Sequence, residues 1–229
     1  GTFLLVQAGD VAPPVGSPLL SSVAWNLRDM TCYCLEGLAY ISGASMVWLK
    51  DQAEIISSLE EAGSLASSVD SAEGVYLVPA FTGLGPPAWN AQARAALMGM
   101  TLGTTKAHIM RAAFESFAYP VRDQLEAVSE LGISATSLKL DGGASTNTWL
   151  VQLMADLCQT PMIVCPDSNA SALGAWSAGV LGMNPCMNLS DLPDREGVVS
   201  TPLMEPAAAE ARHQGWKAAV RGVLASTHS

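Results

Sequence analysis

The segment SLKLDGGASTNTWLVQLMADLCQTPMIVC, residues 137–165, constrains the fold more than any other part of the chain. An apolar run of strand length ends at Asp141, and Gly142 and Gly143 turn the chain. A segment with Leu150, Leu153, Met154 and Leu157 on one helical stripe follows, and PMIVC supplies a second strand. Strands joined through a helix lie parallel in one sheet with the helix on its face, so this part of the chain is α/β. The turn also has chemical content. A strand end, a glycine pair without Cβ atoms and a helix start that Ser145 or Thr146 can cap through Asn147 form a place where unpaired N–H groups meet an anion or a nucleotide. The same residues also make a tight turn with no ligand, and local pattern leaves both readings standing. Neither a P-loop lysine nor the glycine spacing of a dinucleotide fingerprint is present.

The rest of the chain fits around this unit. TFLLVQAG, SSVAWNL and MTCYCLEGL are β-rich and separated by turn residues, which predicts an antiparallel three-strand meander. ISGASMVWLKDQAEIISSLEE predicts two short helices, GVYLVPAF a buried strand, and TGLGPPAWNAQARAALMGM a long loop anchored by Trp89. Ala107–Glu130 has the longest helical pattern, with Pro120 expected to kink or split it. A second long helix, NASALGAWSAGVLGM, repeats small residues at Ala170, Gly174, Ala178 and Gly182. Interior glycine costs about 1 kcal/mol relative to alanine, so close approach of another helix or strand is the expected compensation. A looser segment with several prolines then leads to a final helix, EPAAAEARHQGWKAAVRGVL.

With 229 residues, one large domain is the expectation, and a chain that opens from Gly1 directly into a core strand reads as cut from something longer. A net charge of −10 argues against nucleic acid and anionic membranes as partners, because both reward clustered Lys and Arg. Phosphate would then be bound by backbone N–H groups and a metal ion rather than a cationic clamp. Cysteines 32, 34, 158, 165 and 186 make no CxxC pair and have no histidine at ligand spacing, which predicts reduced thiols, no zinc site and a cytoplasmic location. His108 is expected to cap a helix, and His213 and His228 to face solvent. Asp141 either orients its loop or reaches Mg²⁺ through water. Glu36 and Glu115 are expected to pair with backbone or with Arg and Lys, and Arg94, Lys106, Arg111 and Arg122 to form a solvated or salt-bridged face.

The order of elements resembles the ribonuclease H-like ATPase fold of actin, the 70-kDa heat-shock chaperones and sugar kinases. VYLVPAFTGLGPPAWNAQARAALMGMTLGTTKAHIMRAAFESFAYPVRDQLEAV, CLEGLAYISGASMVWLKD, LDGGASTNTWLVQ, ASALGAWSAG and GWKAAV resemble, in order, the C-terminal half of the FGGY carbohydrate kinases, most of all the glycerol-phosphorylating members. Gly99, His108, Ala112 and Glu115 fall at positions of that family's C-terminal signature. The resemblance implies an ATP-dependent kinase using Mg²⁺, with phosphoryl transfer to a primary hydroxyl of a polyol. Its alternatives are a kinase for a pentulose, hexulose or aldonate, or a non-catalytic nucleotide-binding or oligomerisation module. It implies that Gly142 makes the turn, that Gly143 and Asn147 contact the nucleotide, and that Gly43 is a second ATP-contacting glycine. Val47 stands where these kinases usually have glutamine, and is either packed on base or ribose or plain core. Gly1 and Thr2 resemble part of a phosphate loop, in one of two registers, one of which puts Phe3 beside the polyol. No catalytic base and no metal ligand is assigned in the chain; the base and most sugar contacts are expected in an N-terminal domain, and the full-length protein is expected to be a homo-oligomer.

Overall fold

One long helix lies at the centre of the core, with α-helical and β-strand neighbours on several sides. The computed structural model describes residues 2–39, 42–165, 169–192 and 196–228. Helix α3, Lys106–Glu130, buries every residue from Met110 to Tyr119, so it is enclosed on all sides for nearly three turns. Its start is fixed by Thr105 and His108: the Thr105 N–H donates to Nδ1 of His108 at 3.1 Å, so His108 caps the helix as expected. Pro120 does not split it. The helix runs unbroken past the proline to Glu130, because the surrounding packing holds a backbone that lacks one donor.

On one side of α3 lies a three-stranded antiparallel sheet of β1 (Thr2–Gly9), β2 (Leu20–Leu27) and β3 (Met30–Ala39). The expected meander is corrected in its order, which is β1-β3-β2: the β2–β3 hairpin folds so that β3 sits at the centre. β3 has the buried side chains Cys32, Cys34 and Leu35, which suit a central position, while β2 is mostly exposed. Two short helices follow, α1 (Ser42–Asp51) and α2 (Leu59–Ser67), the second capped by Ser58, whose hydroxyl accepts from the Glu61 N–H at 3.0 Å.

β4 (Tyr76–Val78) pairs antiparallel with β5 (Ala96–Met98), a strand inside the region expected to be loop. The loop between them is anchored by Trp89, whose indole N–H donates to the Pro18 carbonyl at 2.6 Å. Next come β6 (Leu138–Leu140), α4 (Thr148–Cys158) and β7 (Met162–Val164), with β6 and β7 parallel as the sequence requires. β8 (Val198–Ser200) adds antiparallel to the other edge of β7. α6 (Pro206–Ala225) closes the core through Ala209, His213, Trp216, Ala219 and Val223.

The small-residue helix α5 (Ala170–Met183) departs from expectation. Among the described residues nothing lies within 4 Å of a Cβ added at Gly174, Gly179 or Gly182, and only Leu181 of the helix is buried. The close approach that the glycines predict is therefore not made within this part of the chain. Arg28, in the β2–β3 turn, holds the far end of α5 by donating to the carbonyls of Leu181, Asn184 and Met187 at 3.4, 3.0 and 2.8 Å.

Candidate functional site

At the carboxyl end of β6 the backbone enters the turn at Gly142 with φ of +96°, a conformation that a residue with Cβ adopts only under strain. Gly143 then opens a single 3₁₀ turn through Thr146. Two hydroxyls close that turn: Ser145 donates to the Gly142 carbonyl at 2.7 Å and Thr146 to the Gly143 carbonyl at 2.8 Å. The helix cap falls to Asn147 alone, whose side-chain oxygen accepts from the Leu150 N–H at 3.1 Å. Among the described residues, no atom beyond the chain neighbours lies within 4 Å of a Cβ built on Gly142 or Gly143. Backbone geometry accounts for the first glycine, while packing among the described residues makes no demand on the second.

Asp141 fixes this turn from below. One carboxylate oxygen accepts from the Gly142 N–H at 2.8 Å and the other from the N–H of Ala170 at 2.9 Å, so the residue ties the glycine turn to the first residue of α5. Both oxygens are thus engaged by backbone donors, which is the loop-orienting role.

Gly43 and Val47 stand one helical turn apart on the exposed face of α1. Val47 is 49% exposed and so lies outside the core of the described residues, among which nothing comes within 4 Å of a Cβ built on Gly43. Phe3 is 63% exposed on β1. The structure thus groups Gly142, Gly143 and Asn147 in one turn, and leaves Gly43 with Val47 and Phe3 exposed on two other elements. Thr2 is in β1 opposite Ala39, its side chain outside the described residues, as is Gly1.

Most polar chemistry in the core lies elsewhere. Glu115 is buried and accepts from Arg111 at 2.9 Å and from the Tyr119 hydroxyl at 2.9 Å, with Arg212 at 3.3 Å. Burial above all, and then the Glu115 charge, raises the Tyr119 phenol far above its ordinary range. Arg111 also donates to the Val69 carbonyl at 3.0 Å and lies 5.1 Å from the ring centre of Trp149. Of the other basic residues, Arg122 pairs with Glu126 and Glu210, and Arg94 donates to the carbonyls of Ala91, Gln92 and Ala93. Glu36 accepts a hydrogen bond from the Ser22 hydroxyl, and among the described residues no backbone or basic partner is found for it.

His213 corrects the expectation of a solvent-facing residue: it is fully buried and its Nε2 lies 2.6 Å from Asp123. The signal was present in α6, where Ala209, His213, Trp216 and Val223 share one stripe. The side chain of His228 lies outside the described residues.

Residues 11–183 match the model of the FGGY family of carbohydrate kinases, C-terminal domain. A glycerol kinase of Halobacterium salinarum is 40% identical over 229 residues, covering 98% of this chain and 45% of its own length. One from Burkholderia ambifaria is 40% identical over 228 residues, covering 98% and 46%. The chain thus spans about half the length of the curated relatives it matches. Among solved structures, Plasmodium falciparum glycerol kinase with ADP superposes with a TM-score of 0.85 at 27% identity, over 97% of this chain and 45% of that one. Gluconate kinase from Lactobacillus acidophilus reaches 0.82 at 18% identity over 100% and 46%, a likeness of fold alone. The architecture is that of the ribonuclease H-like ATPases, with antiparallel and mixed sheets flanked by helices. The chain belongs to the FGGY family of carbohydrate kinases, and the match is to that family's C-terminal domain.

Proposed function

We propose that this chain is the nucleotide-binding half of an ATP-dependent kinase, and that it holds the adenosine end of MgATP over the Gly142–Gly143 turn. The observation that carries this reading is the open second glycine. The fold asks for Gly142 through its backbone angle, but among the described residues no contact asks for Gly143, and the space in front of it suits a ligand that comes close to the backbone. Asn147 at the head of α4 and the Gly43–Val47 face of α1 supply further contacts, with Val47 offering apolar surface to base or ribose. Thr2 and Gly1 are read as part of a phosphate loop, and Phe3 as a neighbour of the acceptor.

The reaction is transfer of the γ-phosphoryl group of MgATP to a primary hydroxyl, and glycerol is the favoured acceptor because curated relatives at 37–40% identity are named glycerol kinases. In phosphoryl transfer the protein contributes positioning and electrostatic stabilisation. Mg²⁺ neutralises the phosphate oxygens when bound. This chain's own residues orient the nucleotide: Asp141 locks the turn, Gly142 and Gly143 admit the adenosine, and Asn147 frames the head of α4. No residue here is assigned as the base that takes the acceptor proton, which we place in the remainder of a full-length kinase. Closure of the two halves would exclude water from the transfer.

Titration calorimetry with MgADP tests the platform. Gly143→Val, which the unliganded fold has room for, is expected to leave the melting temperature unchanged and weaken MgADP at least about ten-fold, or about 1.4 kcal/mol. Equal affinity in the variant would remove the turn from the site. A coupled assay of the full-length kinase on glycerol, xylulose and gluconate decides the acceptor.

A further inference from the structure

Two pairs of donor side chains meet between α3 and α6. Asp123 and Glu126 stand three residues apart on α3, and Glu210 and His213 three apart on α6, spacings that put each pair on one helical face. Nε2 of the fully buried His213 lies 2.6 Å from Oδ1 of Asp123, and a carboxylate can only accept, so that nitrogen carries the hydrogen. The other nitrogen, Nδ1, is buried and has no hydrogen-bond partner. It nevertheless sits 3.2 Å from Oε1 of Glu126, at an angle that makes no hydrogen bond. An imidazole lone pair and a carboxylate oxygen held that close, with no proton directed between them, repel each other, and the buried nitrogen is out of reach of water that could relieve it, although the Glu126 side chain is 39% exposed.

We propose that His213 Nδ1, Glu126 and Glu210 bind one divalent transition-metal ion of the zinc type, clasping α6 to α3. A cation between Nδ1 and Oε1 turns the repulsive contact into two coordinate bonds. The three donor atoms lie within 4.8 Å of one another. Tetrahedral zinc with bonds of about 2.0–2.2 Å holds its ligands about 3.4 Å apart. The set must therefore contract, and Glu210, whose side chain is 48% exposed, must exchange its contacts with Arg122 and Gln214 for the ion as it swings inward.

Asp123 behind the ring fixes the tautomer and orientation, as carboxylates behind metal-bound imidazoles do. Trp216 holds Asp123 in turn, its indole N–H donating to Oδ2 at 2.7 Å. The three carboxylates face two cations, Arg122 and Lys217, which leaves one negative charge for the ion to offset. A ring nitrogen with two carboxylates suits zinc or nickel better than magnesium or calcium, which prefer oxygen alone.

The test is calorimetry of the tag-free chain carrying Cys186→Ser, which removes an exposed thiol that would compete for zinc. One equivalent of Zn²⁺ is expected, undiminished by a hundred-fold excess of Mg²⁺. Glu210→Gln, on the exposed side and harmless to packing, should weaken it at least ten-fold, and His213→Gln should abolish it. The ¹⁵N shift of His213 Nδ1 should move on zinc addition while Nε2 keeps its hydrogen. Several weak equivalents, equal affinity in Glu210→Gln, or an Nδ1 that carries a proton with and without zinc would each overturn the assignment.

Discussion

Glu115→Leu should be strongly destabilising although it changes side-chain volume little, because the reason is electrostatic rather than volumetric. The carboxylate is 2% exposed and holds Arg111, itself 8% exposed, at 2.9 Å while accepting from the Tyr119 hydroxyl. Removing it strands a guanidinium in the interior, and breaking a buried pair in this way costs about 3–5 kcal/mol. Arg111 keeps the Val69 carbonyl at 3.0 Å and the Trp149 ring at 5.1 Å, which places the loss near the lower figure, about 3 kcal/mol. Arg212, at 3.3 Å and partly exposed, turns to water at little cost. For a chain of this size 1 kcal/mol moves the midpoint by about 2–4 °C, so the melting temperature should fall by about 6–12 °C. Urea and thermal unfolding followed by circular dichroism measure this, in a Tyr119→Phe background that removes the orphaned hydroxyl from the comparison. Arg111→Met combined with Glu115→Leu leaves no buried charge and should recover at least about 2 kcal/mol of the loss. A single substitution costing less than about 1 kcal/mol, or a double one no more stable than the single, would refute the reasoning.

Three further outcomes follow from other parts of the fold. Gly99 has φ of +81° and a Cβ there would lie 2.0 Å from the Gly74 carbonyl oxygen, so Gly99→Ala should cost about 3 kcal/mol or more in urea unfolding; a loss under about 1 kcal/mol would contradict that contact. Burial pushes the Cys158 thiol up to about 12 against the opposing charge of Arg122, so the fold favours the neutral thiol: its contribution is intact below the unfolded value near 9 and is lost as pH rises from there toward 12. With a thiol reagent at pH 8, the exposed Cys186 should react at once and Cys158 only on unfolding; equal rates would refute its burial. Arg28→Ala removes three bonds to carbonyls at the end of α5, worth about 1.5 kcal/mol, and should speed amide exchange about ten-fold at residues 181–187 while global unfolding stays put.

The strand–glycine–helix–strand unit was legible because it combines two unlike signals, a run of strand length and a long helical stripe, with a turn that only glycine makes easily. The capping role of His108 and the length of α3 were legible for the same reason, since helical periodicity repeats over many residues. Strands β5 and β8 are no shorter than β4, β6 and β7, but β5 follows a Gly- and Pro-punctuated stretch and β8 lies in the segment with several prolines, so neither stands out from loop. The central place of β3 is a matter of pairing order, which alternation along a strand does not encode. Small residues on α5 promised a close neighbour, but a glycine pattern reports only that approach is sterically allowed. In the candidate site, Gly142, Gly143 and Asn147 could be read together because they share one turn. Gly43 and Val47 are far from it in sequence and came only from family resemblance. The Asp123–His213 contact joins residues 90 apart, where no local spacing could announce it.

The enclosure of α3 has a kinetic and evolutionary side. Ten consecutive residues, Met110 to Tyr119, have no solvent-facing position, and their partners come from strands and helices on both sides of α3 in the chain. Loop-closure entropy must be spent on both flanks before that apolar surface is hidden, so docking of α3 is set by topology and comes late, with both flanks together. For sequence drift the consequence is a locked segment: a change of volume within residues 110–119 survives when a neighbour on another element changes with it. Independent variation is left to the two ends of the helix, where Lys106 at the start and Ser129 and Glu130 at the close reach water.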